Sequence, residues 1–257
     1  MAQSISFSPA GYRDVLHQIQ DRGYTFAKMA DSQLQADGPV AILRHDIDFS
    51  AEYALQMARL ESEEGACATY FFMTTCAYYN LFTDRSREVL AEIVDLGHEV
   101  GLHWDSRFLP ARPEDCADFF KAQLLLLSSI TGEKVLSCSQ HIPTDTPAFD
   151  ISPFITFNAY SSLINQRYQY VSDSSMAWRK TTPLDLIAQG VDMQFLSHPI
   201  WWMAEGETQA DKIRNMSAQA EQALRDNSEK YLVYMQKVLD DRERFDQYFR
   251  DTQKTFK

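Results

Sequence analysis

The sequence predicts an α/β fold, a distorted (β/α) barrel of about seven strands with a C-terminal helical extension. Three observations predict it. Short apolar runs rich in β-branched residues alternate with helical segments, the pattern of parallel βαβ units. About seven such units fit within the 257 residues, which suits a closed or nearly closed barrel better than an open sheet. Polar residues of unusual type follow several of the apolar runs, at the strand ends where barrels carry their chemistry. The expected division is a barrel over residues 1–205 and a helical extension over 206–257.

The elements follow in order. Ser8-Pro9 reads as an N-cap with proline at N1, opening a helix to about Arg22. Val40 to Leu43 is a buried strand. Ser50 to Glu64 is a helix with Ala54, Leu55, Ala58 and Leu60 gathered on one side, ended by Gly65. Ala68 to Met73 is the next strand, Asp84 to Leu96 a helix closed by Gly97, and His98 to Leu102 a strand. Pro113 to Ile130 is a long helix closed by Thr131-Gly132. Strands are expected at Val135 to Cys138, Phe154 to Asn158 and Tyr170 to Ser172. A short helix at Pro183 to Ala188 precedes the last strand, Met193 to Ser197. From Gly206 the chain is polar and helical. Leu232, Met235, Val238 and Leu239 stand at helical spacing there, for packing on the barrel or for a dimer contact that would make a homodimer.

Composition narrows the function. Apolar residues make up 45% and charged residues 23%, so a chain of this length buries a sizeable core without staples. The net charge of -12 repels nucleic-acid phosphates and anionic membranes and favours metal cations. A local pocket can still be basic, so an acidic substrate is not excluded. Cys67, Cys76, Cys116 and Cys138 form no C-x-x-C pair and read as buried free thiols of a reducing compartment. No signal-peptide pattern opens the chain and no apolar run nears ~18 residues. A cytoplasmic protein without membrane insertion is expected.

Histidines and carboxylates at strand ends carry the chemistry. Asp46 and Asp48 are spaced by two, so they share a face if their strand continues. Adjacent carboxylates repel, which favours a cation or a proton at one of them. The same spacing suits a turn capping the helix that starts at Ser50. His103, His141 and His198 each follow an inferred strand end, and His45 follows a fourth. Neutral imidazole is a common ligand for zinc. His98 reads as a structural histidine at a helix-to-strand turn. Asp173 lies near Trp178 at another strand end. Trp104, Trp201, Trp202 and Trp178 offer faces on which a sugar ring can stack, or fill the core. Arg44 can meet a substrate carboxylate or phosphate, or pair with a neighbouring Glu.

Arg-His-Asp-Ile-Asp (44–48), Gly-His-Glu-Val-Gly-Leu-His (97–103) and Leu-Ser-His-Pro (196–199), in this order, resemble motifs of the NodB-homology polysaccharide deacetylases, carbohydrate esterase family 4. The Arg-His-Asp-x-Asp variant with His-Pro-x-Trp-Trp resembles a bacterial subgroup associated with surface-polysaccharide gene clusters. The resemblance implies a divalent metal, zinc above all, and hydrolysis of an N- or O-acetyl group on a sugar, free or linked to a nucleotide or lipid. It implies Asp46 as general base, Asp48 and His103 as metal ligands, and His198 as general acid, with Asp173 and Trp178 resembling the acidic residue and tryptophan that orient it. Two positions depart from the pattern. Arg107 stands where the family has a second metal-binding histidine, and His141 or Asp105 would replace that ligand, His141 the better placed. The segment Ser139 to Pro143 lacks the family's arginine that holds the base. These departures imply two alternatives, a non-catalytic sugar-binding descendant of the fold or a hydrolase of another non-peptide C–N bond.

Overall fold

The computed structural model describes residues 5–143 and 149–255. The chain divides into two compact units, Met1–Lys212 and Ile213–Lys257. In the first, eight strands form one sheet: β1 (Thr25–Ala27), β2 (Val40–Ile47), β3 (Thr69–Phe72), β4 (Glu99–Trp104), β5 (Ser137–Gln140), β6 (Phe157–Asn158), β7 (Gln169–Ser172) and β8 (Met193–Ser197). The order is β6-β5-β4-β3-β2-β8-β7, with β1 paired to the start of β2, and every pairing given is parallel. Seven strands thus curl into a half-barrel, ending in β6 and β7.

Helices cover the outside, and local sequence sets their ends. In α1 (Pro9–Asp21), Ser8 accepts from the Gly11 N–H, and Tyr12, Val15, Leu16 and Ile19 form its buried stripe. In α2 (Ala51–Glu63), Ser50 accepts from the Tyr53 N–H. α3 (Asp84–Asp95) starts at a Thr83 cap, and α4 (Pro113–Thr131) ends on Gly132 at φ +75°. Two short helices lie beyond what periodicity reveals, α5 (Ser162–Arg167) and α7 (Pro199–Met203). Between them α6 (Pro183–Gln189) opens with a Thr182–Asp185 capping box. α8 (Gln209–Asp240) runs from the first unit into the second, which α9 (Arg242–Thr255) completes.

The strand that carries the site is longer than its apolar run. β2 continues through Arg44, His45 and Asp46 to Ile47, and all eight positions are buried. Polar residues survive there because each face supplies partners. Arg44 and Asp46 point into the barrel and bond each other, while His45 points to the helices and bonds Glu61 of α2. Glu61 is fully buried and also accepts from Tyr12 (2.5 Å) and Tyr70 (2.6 Å). His98 lies beside it, accepting from the Ala68 N–H and donating to the Ala58 carbonyl, which ties β4 to α2 as a structural histidine does.

Gly101 is where β4 packs tightest. A Cβ there would stand 2.4 Å from a Phe71 ring carbon and 2.7 Å from Ser137 Oγ. Gly101→Ala is therefore expected to cost about 1–3 kcal/mol of stability, read as a lowered urea midpoint with an unchanged slope.

Candidate active site

The carboxyl ends of β2, β4, β5 and β8 bring Asp46, Asp48, His103, His141 and His198 to one cavity of about 450 Å³, walled by Phe49, Tyr160, Tyr170 and Trp201. Three of these residues, Asp48, His103 and His141, could together hold a metal ion. His103 Nε2 lies 3.1 Å from Asp48 Oδ1, His141 Nδ1 lies 3.4 Å from the same oxygen, and the two nitrogens are 3.3 Å apart. Atoms that each bind a tetrahedral ion at 2.0–2.1 Å stand about 3.3 Å from one another. The three edges match that spacing.

The surroundings of the triangle agree with its use for a cation. Asp48 Oδ1 is buried without a hydrogen-bond partner among the described residues, a costly state for a carboxylate oxygen unless a cation meets it. His103 is buried, and its Nδ1–H donates to the Ser139 carbonyl at 3.0 Å. That bond fixes the tautomer and turns the Nε2 lone pair toward the triangle. The donor set, two imidazoles and one carboxylate, suits zinc. Burial opposes ionisation of Asp48, yet the facing histidines hold its carboxyl far below the usual range. Both vacancies left by the motifs are thereby filled or moved. His141 stands where it could serve as the third ligand. Arg107 turns away and bonds Asp105 through Nε and Nη2, so Asp105 is committed there and stays outside the ligand set.

Asp46 lies beside the triangle, with Oδ2 3.8 Å from His103 Nε2. Arg44 grips it bidentately, Nε to Oδ1 at 3.0 Å and Nη2 to Oδ2 at 2.8 Å, and the Ser139 hydroxyl donates to Oδ2 at 3.1 Å. Burial alone would raise the Asp46 carboxyl, but Arg44 and the nearby histidines bring it below its ordinary value. The arginine that holds Asp46 thus comes from β2 itself. This corrects the expectation that Arg44 meets substrate. Arg44 is fully buried, bonded also to Gln194 (3.0 Å), Tyr160 (2.8 Å) and Ser139, and a ligand has no access to it. Ser139, Gln194 and Tyr160 carry no motif. The one sequence signal for this grip is the two-residue spacing of Arg44 and Asp46 on a strand.

Across the cavity, His198 Nε2 lies 3.7 Å from Asp48 Oδ2. Its Nδ1–H donates to Asp173 Oδ1 at 2.6 Å, and its backbone N–H donates to Asp173 Oδ2 at 2.9 Å. Burial favours the neutral ring, but Asp173 outweighs it and pushes His198 up to about 9. Asp173 is fully buried, so it acts through His198 as a positioning residue.

The tryptophans separate. Trp202, fully buried, donates its indole N–H to Asp173 Oδ2 at 2.7 Å. Trp178, expected near substrate, instead stacks on Phe7 (5.5 Å, 18°) in an aromatic cluster with Phe195 and Trp202. Trp104 is also corrected to a core position. It neighbours the inward-pointing His103, so strand alternation turns it outward to pack edge-on against Phe120 of α4. Of the four tryptophans offered to a sugar ring, Trp201 lines the cavity and the other three pack away from it.

No protein-family model matches the chain, and no curated protein matches it. Among solved structures, similar folds include a Streptococcus pyogenes deacetylase in complex with acetate, 14% identical, matched over 74% of this chain and 89% of that one at a TM-score of 0.47. A peptidoglycan deacetylase from Bacillus subtilis is 15% identical over 79% of this chain and 99% of that one, also at 0.47. A carbohydrate esterase family 4 pseudoenzyme from Bacillus anthracis is 14% identical over 74% of this chain, which spans 63% of it, at 0.44.

Proposed function

We propose that the chain is a metal-dependent hydrolase that removes an N- or O-acetyl group from a sugar, in the assembly of a surface polysaccharide. One observation carries the reading: the Asp48–His103–His141 triangle sits between a carboxylate on one side and a protonated histidine on the other. The order of the motifs, and the Arg-His-Asp-x-Asp variant, support the sugar and the pathway.

Asp48, His103 and His141 would hold the ion. A divalent ion bound there polarises the acyl carbonyl and acidifies the hydrolytic water. Asp46 stays ionised because Arg44 faces it, and accepts the proton of the attacking water at its carboxylate. Arg44 and Ser139 keep that carboxylate in one orientation. His198 carries its proton at neutral pH and gives it, from Nε2, to the leaving nitrogen or oxygen. Asp173 and Trp202 fix the ring so that Nε2 faces the cavity.

The test is acetate release from a panel of N- and O-acetylated sugars by the zinc-loaded protein, abolished by a chelator and restored by metal. Protein that neither takes up zinc nor releases acetate from any of them would reject the reading. His141→Ala is expected to weaken zinc binding by more than the roughly 10–100-fold that loss of an outer hydrogen-bond partner costs, measured by competition with a chelating dye. Asp173→Asn is expected to shift a pH profile. The carboxylate raises His198, so its removal lowers the histidine and moves the alkaline limb of kcat/KM from about 9 toward the ordinary histidine value of 6.5. An unmoved limb would remove His198 from the acid role.

A further inference from the structure

The cavity carries one cation that the site does not use. Arg179 lines it and has no hydrogen bond or ion pair among the described residues. The other charges at the mouth are committed. Asp46 is held by Arg44, Asp48 faces three histidines, and Asp173 holds His198. Three carboxylates therefore meet Arg44, His198 and Arg179 even before a divalent ion is added. These charges balance, so a divalent ion would leave the mouth cationic on a chain whose net charge is -12. A surface that acidic offers many carboxylates to an arginine, yet this one is left open beside the reacting groups.

The chain also spends conformational strain where this arginine is placed. Ser175 (φ +58°) and Met176 (φ +54°) both adopt the left-handed region without being glycine. This tight segment is secured on both sides, by Gln209 donating to the Ser175 carbonyl and by Trp178 stacked on Phe7. Ser174 and Ser175 thereby reach the cavity, and the chain returns to it at Arg179. Trp201, 6% exposed, lines the same cavity, and its indole N–H has no partner among the described residues. Aromatic faces suit the C–H surface of a sugar ring. A free guanidinium beside them suits a bidentate oxyanion.

We propose that the sugar acted on carries an anionic group, a phosphoryl or a carboxylate, and that Arg179 receives it. The inference rests on the deacetylase reading and narrows it from acetylated sugars in general to charged ones. Calorimetric binding and acetate release are measured for N-acetylglucosamine, N-acetylglucosamine 1-phosphate and an N-acetylated aminouronic acid, with zinc-loaded wild type, Arg179→Ala and Arg179→Lys. The wild type is expected to prefer at least one charged sugar over the neutral one by about tenfold or more in Kd or kcat/KM, the scale of one charge-assisted hydrogen-bonded pair. Whichever charged sugar is preferred identifies the anion. Arg179→Ala is expected to bring that ratio close to one, and Arg179→Lys to restore part of it. Equal handling of neutral and charged sugars by the wild type, or a preference that survives in Arg179→Ala, would overturn the proposal. Binding preference abolished by Arg179→Ala, without acetate release, would uphold the anion site and reject the hydrolytic reading.

Discussion

Asp46→Asn is expected to lower kcat for acetate release by about 10²–10⁴-fold, the contribution of a positioned acid–base group. Asparagine keeps the shape of the side chain but accepts no proton from water. Zinc binding should persist, because Asp46 lies outside the ligand triangle and His103 keeps its bond to the Ser139 carbonyl. The substitution also leaves Arg44 buried without its counter-charge. Removing one partner of a buried pair costs about 3–5 kcal/mol. Here Gln194, Ser139 and Tyr160 remain as acceptors, and the Tyr160 ring lies 4.5 Å from the guanidinium carbon, so the loss should fall at the low end. Kinetics, zinc stoichiometry and thermal unfolding on the same preparation separate the two effects. Near wild-type turnover in a folded, zinc-loaded variant would remove Asp46 from the base role.

Glu61→Ala should give the largest loss of stability, at least about 3 kcal/mol out of the roughly 5–15 kcal/mol that hold a domain together. Tyr12, Tyr70 and His45 all donate to this carboxylate, and all are buried. Alanine strands three donors at once, each costing about 1–3 kcal/mol. Glu61→Gln keeps one carbonyl acceptor and should recover part of the loss. Burial alone would raise Glu61, but His45, His98 and Tyr12 bring its carboxyl below the ordinary 4.5. A depressed carboxyl stabilises the fold fully above 4.5 and loses that contribution as pH falls through the folded value. The wild type should therefore lose stability progressively below pH 4.5, and Glu61→Ala should show a shallower acid dependence. An equal acid slope in both proteins, measured by urea unfolding from pH 3 to 6, would deny Glu61 this role.

Much of the fold was legible because burial leaves a one-dimensional trace. β8 matches its apolar run, and Pro9, Pro183 and Gly132 mark helix ends by local chemistry. β1 and α7 escaped because three and five residues are too few to show a period. β2 was cut short at Leu43 because charged residues ordinarily end a buried run, and their partners lie far away in sequence. Arg44 meets Tyr160 and Gln194 across 116 and 150 residues. The histidines of the site were legible from their places after strands. The tryptophan that serves Asp173 was not, since it depends on α7 bringing Trp202 back one turn past His198.

The position of β2 has a consequence for how the molecule assembles. Its neighbours along the sheet are β3, which follows it closely, and β8, about 150 residues later. Tyr12, His45, Glu61 and Tyr70 can gather as soon as Tyr70 has been made, little more than a quarter of the way along the chain. Asp46 and Asp48 meet His198 only when the last strand docks, after nearly the whole barrel has been made. Such distant pairing gives little reward until the entropy of a long loop has been met, so it comes late and slowly. On the proposed reading the cluster is therefore expected to close only when β8 docks, well after its carboxylates have been made.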